Sequence, residues 1–417
     1  MDEKHERELR RKAMRLHLKG LRPRDILARI PRGRTWLHKW RQRFEDDGWA
    51  GLRSRSRRPR APQRIYGAQE KRVIVRVRRS LEKRKVGLIG ARAVQAEIER
   101  AALLTPVPSR ATIGRVLQAA GLTGVNGSAA SAAYYPHPHP APTYMLHALD
   151  WISRRVQGGA YVFAFNVVDY ETRDLAHSLE DNKRAATARR ILLDSWGKIS
   201  LPDGLQLDND AAFCGGYRVP RVFGQIVRLC LYCGIEPIFI PYYEPERNEL
   251  VERSNGLWVQ AFWQKRRFRN RQQAQRCSPE FEDWYRHEYH PPALAGITPA
   301  QAAAQQPRVK LSARQRARIS NNLPITAGRV HFIRKVDAEG KIDLLNEPWH
   351  VDKRLHRKYV WATVVTHEQR LHIYHRKSAK HPARLRKTVR YTIDEPVRPL
   401  RSEYRRRSRR RKMSTML

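Results

Sequence analysis

Cysteine is scarce, with four residues in a chain of 417. Too few stand at suitable spacing for a structural zinc site, which needs four ligands. The lone CxxC, Cys230 and Cys233, falls inside an apolar helical pattern, so both read as core thiols. Nothing points to disulfides, and the chain fits a reducing cytoplasm. Long apolar runs are missing too: none approaches the ~18 residues that span a bilayer. The opening MDEKHERELRRK lacks the apolar centre of a signal peptide. Negative charge is the third shortage. Lys and Arg number 83 against 40 Asp and Glu, a formal net charge of +43. Such an excess points to a polyanionic partner. Without a membrane span, nucleic acid is the first candidate.

Apolar residues make up 41% of the chain, enough for real cores. The length predicts roughly three domains. Residues 5–49 read as three short helices. Leu9, Ala13, Leu16 and His17 share a face of the first, which ends at Gly20. Arg24 to Ile30 forms the second, and a Pro31-Arg32-Gly33 turn leads to a third from about Arg34 to Phe44, with Leu37 and Trp40 inward. Helix, tight turn and helix is the helix-turn-helix pattern, whose second helix enters the major groove. Arg34, Thr35, His38 and Lys39 lie off the apolar stripe and are the reader candidates. Residues 52–64 carry six Arg and two Pro in thirteen positions. They predict an extended basic arm for phosphates or the minor groove, with Arg55, Arg57 and Arg58 as contacts. A second helical group spans 66–122. GLIGARAVQAEIERA predicts an amphipathic helix. Ser109 then caps another with Ile113, Val116 and Leu117 buried, leaving Arg110, Thr112 and Arg115 for DNA.

Gly, Ala, Ser and Pro dominate residues 124–143, a linker in which His137 and His139 alternate with proline. From 144 the order reads β-β-β-α-β-α-β-α, which predicts an α/β core with a mixed sheet and helices on its faces. Helices are expected to close at Gly197 and Gly234. Short strand-like stretches from 328 to 376, with a turn at Glu339-Gly340, predict a small separate β-barrel. The tail from Arg401 to Lys412 holds seven Arg and one Lys and predicts disorder. The expected domains are a helix-turn-helix domain 1–51, basic linker 52–65, second helix-turn-helix domain 66–123, linker 124–143, catalytic core 144–300, barrel 320–395 and basic tail 396–417.

Three acids in the core invite attention. Asp150 is expected to close the first strand and Asp208 to close GLQLD, where strand ends can converge on one crevice. Glu252 falls about 150° from the centre of its helix's apolar stripe (Leu250, Val251, Ser254, Leu257, Trp258, Phe262), at ~100° per residue. It is therefore free to reach across. Phosphodiester chemistry uses such clusters: two Mg²⁺ ions ~3.5–4 Å apart activate the nucleophile and stabilise the leaving oxygen. Taken singly, each acid is equally a turn residue or a helix-start Glu favoured by the helix dipole.

The surrounding motifs say more. LDNDAAF, a Gly-Ile-rich strand and PERNELVERSNG resemble the signature of DDE transposases and retroviral integrases. VVDYETR resembles the second-strand segment of that core, whose acid, here Asp169, is not catalytic. The two N-terminal helical units and SRSRRP resemble those of bacterial insertion-sequence transposases, and HPPALAGITPAQ resembles the segment closing their core. The C-terminal strands resemble, more loosely, the small barrel of Mu-type transposases. The resemblance implies a ribonuclease-H-like core with Asp150, Asp208 and Glu252 as catalytic metal ligands. It implies two Mg²⁺ ions with Mn²⁺ able to substitute, terminal-repeat and target DNA as partners, a homodimer or larger assembly, and a place on the bacterial nucleoid. The implied activity is metal-dependent strand cleavage and strand transfer. The alternative is a catalytically idle, domesticated DNA-binding regulator. Three departures stand out: Asp210 and Glu249 replace glycines of the pattern, and Asp208 and Glu252 are 44 positions apart, a long interval with the excess in CGGYRVPR. Asp210 reads as a turn residue rather than a fourth acid of the site.

Overall fold

The computed structural model describes residues 3–54, 66–122, 134–136, 144–215, 221–306 and 308–404. The chain divides into two compact units, residues 1–70 and 71–417. In the first, α1 (Glu3–Leu18), α2 (Pro23–Leu27) and α3 (Arg34–Gly51) enclose Ala13, Met14, Ile26, Ile30, Leu37 and Trp40. The apolar spacing read from the sequence thus sets the packing. A break at Gly48, with φ of 57°, divides α3. In the second unit, α4 (Ala68–Lys83, beginning in the first), α5 (Ala91–Arg100) and α6 (Arg110–Ala119) share a core of Ile74, Val77, Leu81, Val94, Ile98, Ile113 and Leu117. The helix expected from Gly87 begins only at Ala91, because the backbone at Gly87 instead bonds to Ala261 O. Ser109 caps α6 through Thr112 N, as its position predicts.

The remaining elements are β1 (Leu146–Arg155), β2 (Tyr161–Asp169), β3 (Leu175–Glu180), α7 (Ala185–Lys198), β4 (Gly204–Leu207), α8 (Ala211–Cys214), α9 (Gln225–Tyr232), β5 (Glu236–Phe239), α10 (Glu249–Ala261), α11 (Arg271–Cys277), α12 (Pro279–His287), α13 (Pro299–Ala304), α14 (Ala313–Arg318), β6 (Arg329–Lys335), β7 (Lys341–Leu344), β8 (Glu347–His350), β9 (Tyr359–Val365), β10 (Arg370–His375) and β11 (Arg384–Arg390). Among the described residues nine strands form one sheet in the order β11-β10-β9-β6-β5-β4-β1-β2-β3. β1, β2 and β3 are antiparallel neighbours, and β4 and β5 continue the sheet parallel to β1. This is the mixed sheet with helices on its faces that the sequence pattern predicts. α10 and α12 cover one face through Val251, Trp258, Ala261 and Phe281, while α7 and α9 pack with Trp196, Leu229 and Leu231 in the other core. Each Val, Leu or Phe among them, fully buried, contributes roughly 1.5–3 kcal/mol.

Four expectations are corrected. β1 does not end at Asp150 but runs to Arg155, because β2 pairs with it residue for residue from His147↔Asp169 to Arg155↔Tyr161. α7 passes through Gly197 to Lys198, and α9, which the pattern VPRVFGQIVRLCLYCG predicts from Val219, starts at Gln225. The C-terminal strands do not form a separate closed barrel. β6 pairs parallel with β5 through Ile238↔His331 and Phe239↔Phe332, whose rings stack at 5.2 Å. An exposed β5 edge would leave backbone groups unpaired, and β6 satisfies them, so one apolar core runs from Leu149 to Tyr404. β7 and β8 make a separate hairpin, and the turn at Gly340 takes φ of 80° with the Lys353 backbone too close for any Cβ. The sequence also missed α11–α14 and β11. Most of the expected linkers at 52–65 and 124–143, with His137 and His139, and the tail beyond residue 404 lie outside the described residues.

Candidate active site

Register brings the acids together. The parallel pairing of β1 and β4 ends at Ala148↔Gln206. Asp150 and Asp208 each stand two residues further on, so period-two alternation puts them on the same face as that pair. Asp150 sits mid-strand and buried, with 8% exposure, and Asp208 is half-buried just past β4. Glu252 comes from the open side of α10, whose Val251, Ser254, Asn255 and Trp258 face inward. Its place in the first turn is favoured by the helix dipole.

One docking residue, Asn248, sets that helix against the strands. It is buried, accepts from Gln206 Nε2 at 2.9 Å, and its own amide points at Leu149 O, 3.5 Å away. Asn255 then donates from Nδ2 to Asp150 Oδ2 at 2.8 Å and accepts from Asn166 Nδ2 at 2.7 Å. Sequence reading overlooked Gln206, Asn248, Asn255 and Asn166. The available signal was a polar side chain within an apolar stretch, as in FAFNVV.

The three carboxylates share a field. Burial first, and then the Asp208 and Glu252 charges, push the Asp150 carboxyl up to about 8, against the Trp151 N–H and the Asn255 amide. Burial also pushes Asp208 up to about 6, with Asp210 and Glu252 adding to it and the Asp210 N–H and Lys183 opposing. Partial burial raises Glu252, while a hydrogen bond with Asp150 acts the other way. Among the described residues no three His, Cys, Asp or Glu side chains already form a ligand set for one ion. The donor chemistry nevertheless suits a hard divalent cation: oxygen only, crowded, and with charge that a cation would relieve.

Asp210 has a local task. Its Oδ1 accepts from Ala212 N at 2.9 Å and caps α8, while Oδ2 takes a 3.0 Å bond from Lys183 Nζ. Lys183 also stands over the Trp151 ring, 4.1 Å from its centroid. Between them, Asn209 donates to Ile240 O at 2.7 Å and accepts from Arg334 Nη2 at 2.8 Å. The C-terminal strand β6 therefore props the loop beside Asp208. The extra segment after α8 is pinched at its base, where Gly215 and Gly224 approach so closely that a Cβ on Gly215 would lie 2.7 Å from Gly224 N. Asp169 is committed elsewhere: it accepts from Glu171 N and Thr172 N and pairs with His147 and Arg308. Cys230 and Cys233 are buried core thiols.

The reader candidates divide. Arg34, Thr35, His38 and Lys39 are all exposed on α3. On α6, Arg110 and Arg115 are exposed, but Arg110 donates to Gln95 Oε1 and Arg115 to Ala111 O and Thr112 Oγ1. Arg55, Arg57 and Arg58 lie outside the described residues.

Residues 36–117 match the family model of a homeodomain-like domain. The match runs from within α3 through most of α6, a helix-turn-helix of DNA-binding kind. In structure the chain is similar to the integrase catalytic core domain of HTLV-2 in complex with magnesium, at 14% identity and a TM-score of 0.28 over 38% of this chain and 94% of that one. It is also similar to a simian T-cell lymphotropic virus intasome in complex with a PP2A regulatory subunit, at 12% identity and 0.34 over 72% and 96%. The BIV integrase catalytic core domain aligns at 14% identity and 0.27 over 38% and 93%. No curated protein matches the chain.

Proposed function

We propose that the chain is a DDE-type DNA transposase that binds the ends of its mobile element, cleaves them, and joins the 3′ ends to target DNA. One observation carries the reading: β1, the end of β4 and α10 bring Asp150 and the acids of two separate motifs, Asp208 of LDND and Glu252 of PERNELVERSNG, into one electrostatic field. Asp150, Asp208 and Glu252 would hold Mg²⁺, as two ions when complete, with Mn²⁺ able to substitute. Bound there, the metal supplies Lewis acidity to the attacking and leaving oxygens of a phosphodiester. The chain's own residues set the stage. Asn255 orients Asp150, Asn209 fixes the loop after β4, and Lys183 offers a cation beside the acids where DNA phosphate would lie. The exposed residues of α3 read base edges, and the arginines of the basic arm and α6 hold backbone. Two element ends must meet, so the working form is a homodimer or larger.

Asp208→Asn tests the reading. It removes a carboxylate and no groove contact. Cleavage of labelled end DNA with Mg²⁺ should fall at least a thousandfold while end binding stays within twofold. Equal cleavage by variant and parent would sink the assignment. End binding by a parent that never cleaves would favour the idle regulator.

A further inference from the structure

Asp150, Asn166 and His177 form a row across three strands. Asp150 is registered against Asn166, and Asn166 against His177. Directly opposed residues in antiparallel strands share a face, so the row lies on one side of the sheet, and α10 covers it with Asn255. Three hydrogen bonds join the four groups: His177 Nδ1 to Asn166 Oδ1 at 2.8 Å, Asn166 Nδ2 to Asn255 Oδ1 at 2.7 Å, and Asn255 Nδ2 to Asp150 Oδ2 at 2.8 Å. Asn166 and Asn255 are almost wholly buried, and unpaired polar groups there would be costly.

The direction of the chain follows from its end. Once it holds a cation the Asp150 carboxylate is ionised and only accepts, so Asn255 turns its amide nitrogen to Asp150. That leaves Asn255 Oδ1 for the Asn166 nitrogen, and Asn166 Oδ1 for a donor, which must be Nδ1–H of a neutral His177. His177 Nε2 is shielded and has no hydrogen-bond partner, so an acceptor nitrogen there is the less costly choice. The ring itself is held by Phe281 at 5.1 Å, edge to face, and Trp258 at 6.1 Å. The His177 main-chain N–H donates to Glu282.

We propose that Asn166 and His177 are positioning residues for the acid site, fixing Asn255 and through it the orientation of the Asp150 carboxylate toward a divalent cation. This rests on the reading of Asp150 as a metal-holding acid. Neither residue touches substrate or metal. Their contribution is that one Asp150 oxygen is held by Asn255, whose amide cannot rotate without breaking two bonds, and that the Asn166 end of this link is itself held by His177.

The test uses the full chain with Mn²⁺ as probe. Calorimetry gives the Mn²⁺ dissociation constant, melting without metal gives stability, and end-DNA cleavage is read in parallel. His177→Phe keeps a ring between Trp258 and Phe281 but loses the Nδ1 donor. His177→Asn returns an amide donor at the Nδ1 position but loses the ring. Loss of an orienting partner typically weakens metal binding about 10–100-fold. His177→Phe should therefore bind Mn²⁺ about tenfold more weakly than the parent, and His177→Asn within about threefold of it, although the Asn variant melts lower. A merely structural role would put metal affinity in the same order as melting temperature, and that result would overturn the proposal. Should His177→Phe not fold, Asn166→Leu breaks the same chain and carries the same expectation. Parent-like Mn²⁺ affinity in either variant overturns the proposal while leaving the transposase reading intact. A parent that binds no Mn²⁺ overturns both.

Discussion

Asp150 gathers most of the site's electrostatic tension. With its carboxyl pushed up to about 8 by burial and its two acid neighbours, it keeps a proton at neutral pH that a cation must displace. Metal affinity should therefore climb by up to about tenfold per pH unit between 6 and 8, and flatten above. The sign for stability is opposite. The folded pKa lies above the unfolded ~3.9, so the native state binds the extra proton, and metal-free stability falls as pH rises from about 4 through 8. Asp150→Asn should remove both effects, melting higher than the parent at pH 8 in chelator and gaining nothing from Mg²⁺. Calorimetry at pH 6 and 8 decides it, since equal Mg²⁺ affinity at the two values contradicts the account. The acids themselves were legible because their motifs are local in the chain. Asn166, Asn255 and His177 were not, because their meaning arises only when three strands and a helix take one register.

Helices report how local signals translate. Ser109 caps α6 and Leu37 and Trp40 face inward on α3, as spacing alone predicts. Asp210 behaves as the turn chemistry of its position demands, capping α8. Asp210→Ala should cost about 1 kcal/mol and Asp210→Gly only a few tenths, each with an unchanged Mg²⁺ requirement for cleavage. A Gly variant that folds but needs far more Mg²⁺ would instead make Asp210 part of the site. On α3, Arg34→Ala and Lys39→Ala in the full chain should lessen the preference for element ends over random DNA, read by competition binding. An unchanged ratio would remove these residues from base reading. Boundaries failed where tertiary pairing decided them: β1 outruns Asp150 because β2 continues beside it.

At the scale of the whole molecule, the C-terminal strands belong to the same sheet as the strands that carry Asp150 and lead to Asp208. Sequence periodicity found β6, β7, β8, β9 and β10 but not their partner, since the β5–β6 pairing joins segments far apart in the chain. A chain ending at residue 327 would expose the β5 edge and strip Arg334 from Asn209. Its sheet should show no cooperative melting transition, whereas a separable barrel would leave a folded core behind. The far edge of the same sheet carries another lesson. β11 is RLRKTVR, largely exposed, with Arg384, Arg386, Lys387 and Arg390 along it. Were two copies to zip together there, four cations would oppose four, so the open edge guards itself against runaway fibre growth. That guard works through unscreened repulsion. It should weaken as salt rises, which screens the charges, and equally at low salt where a bound polyanion coats the edge, so a polyanion-loaded state is one in which self-association needs watching.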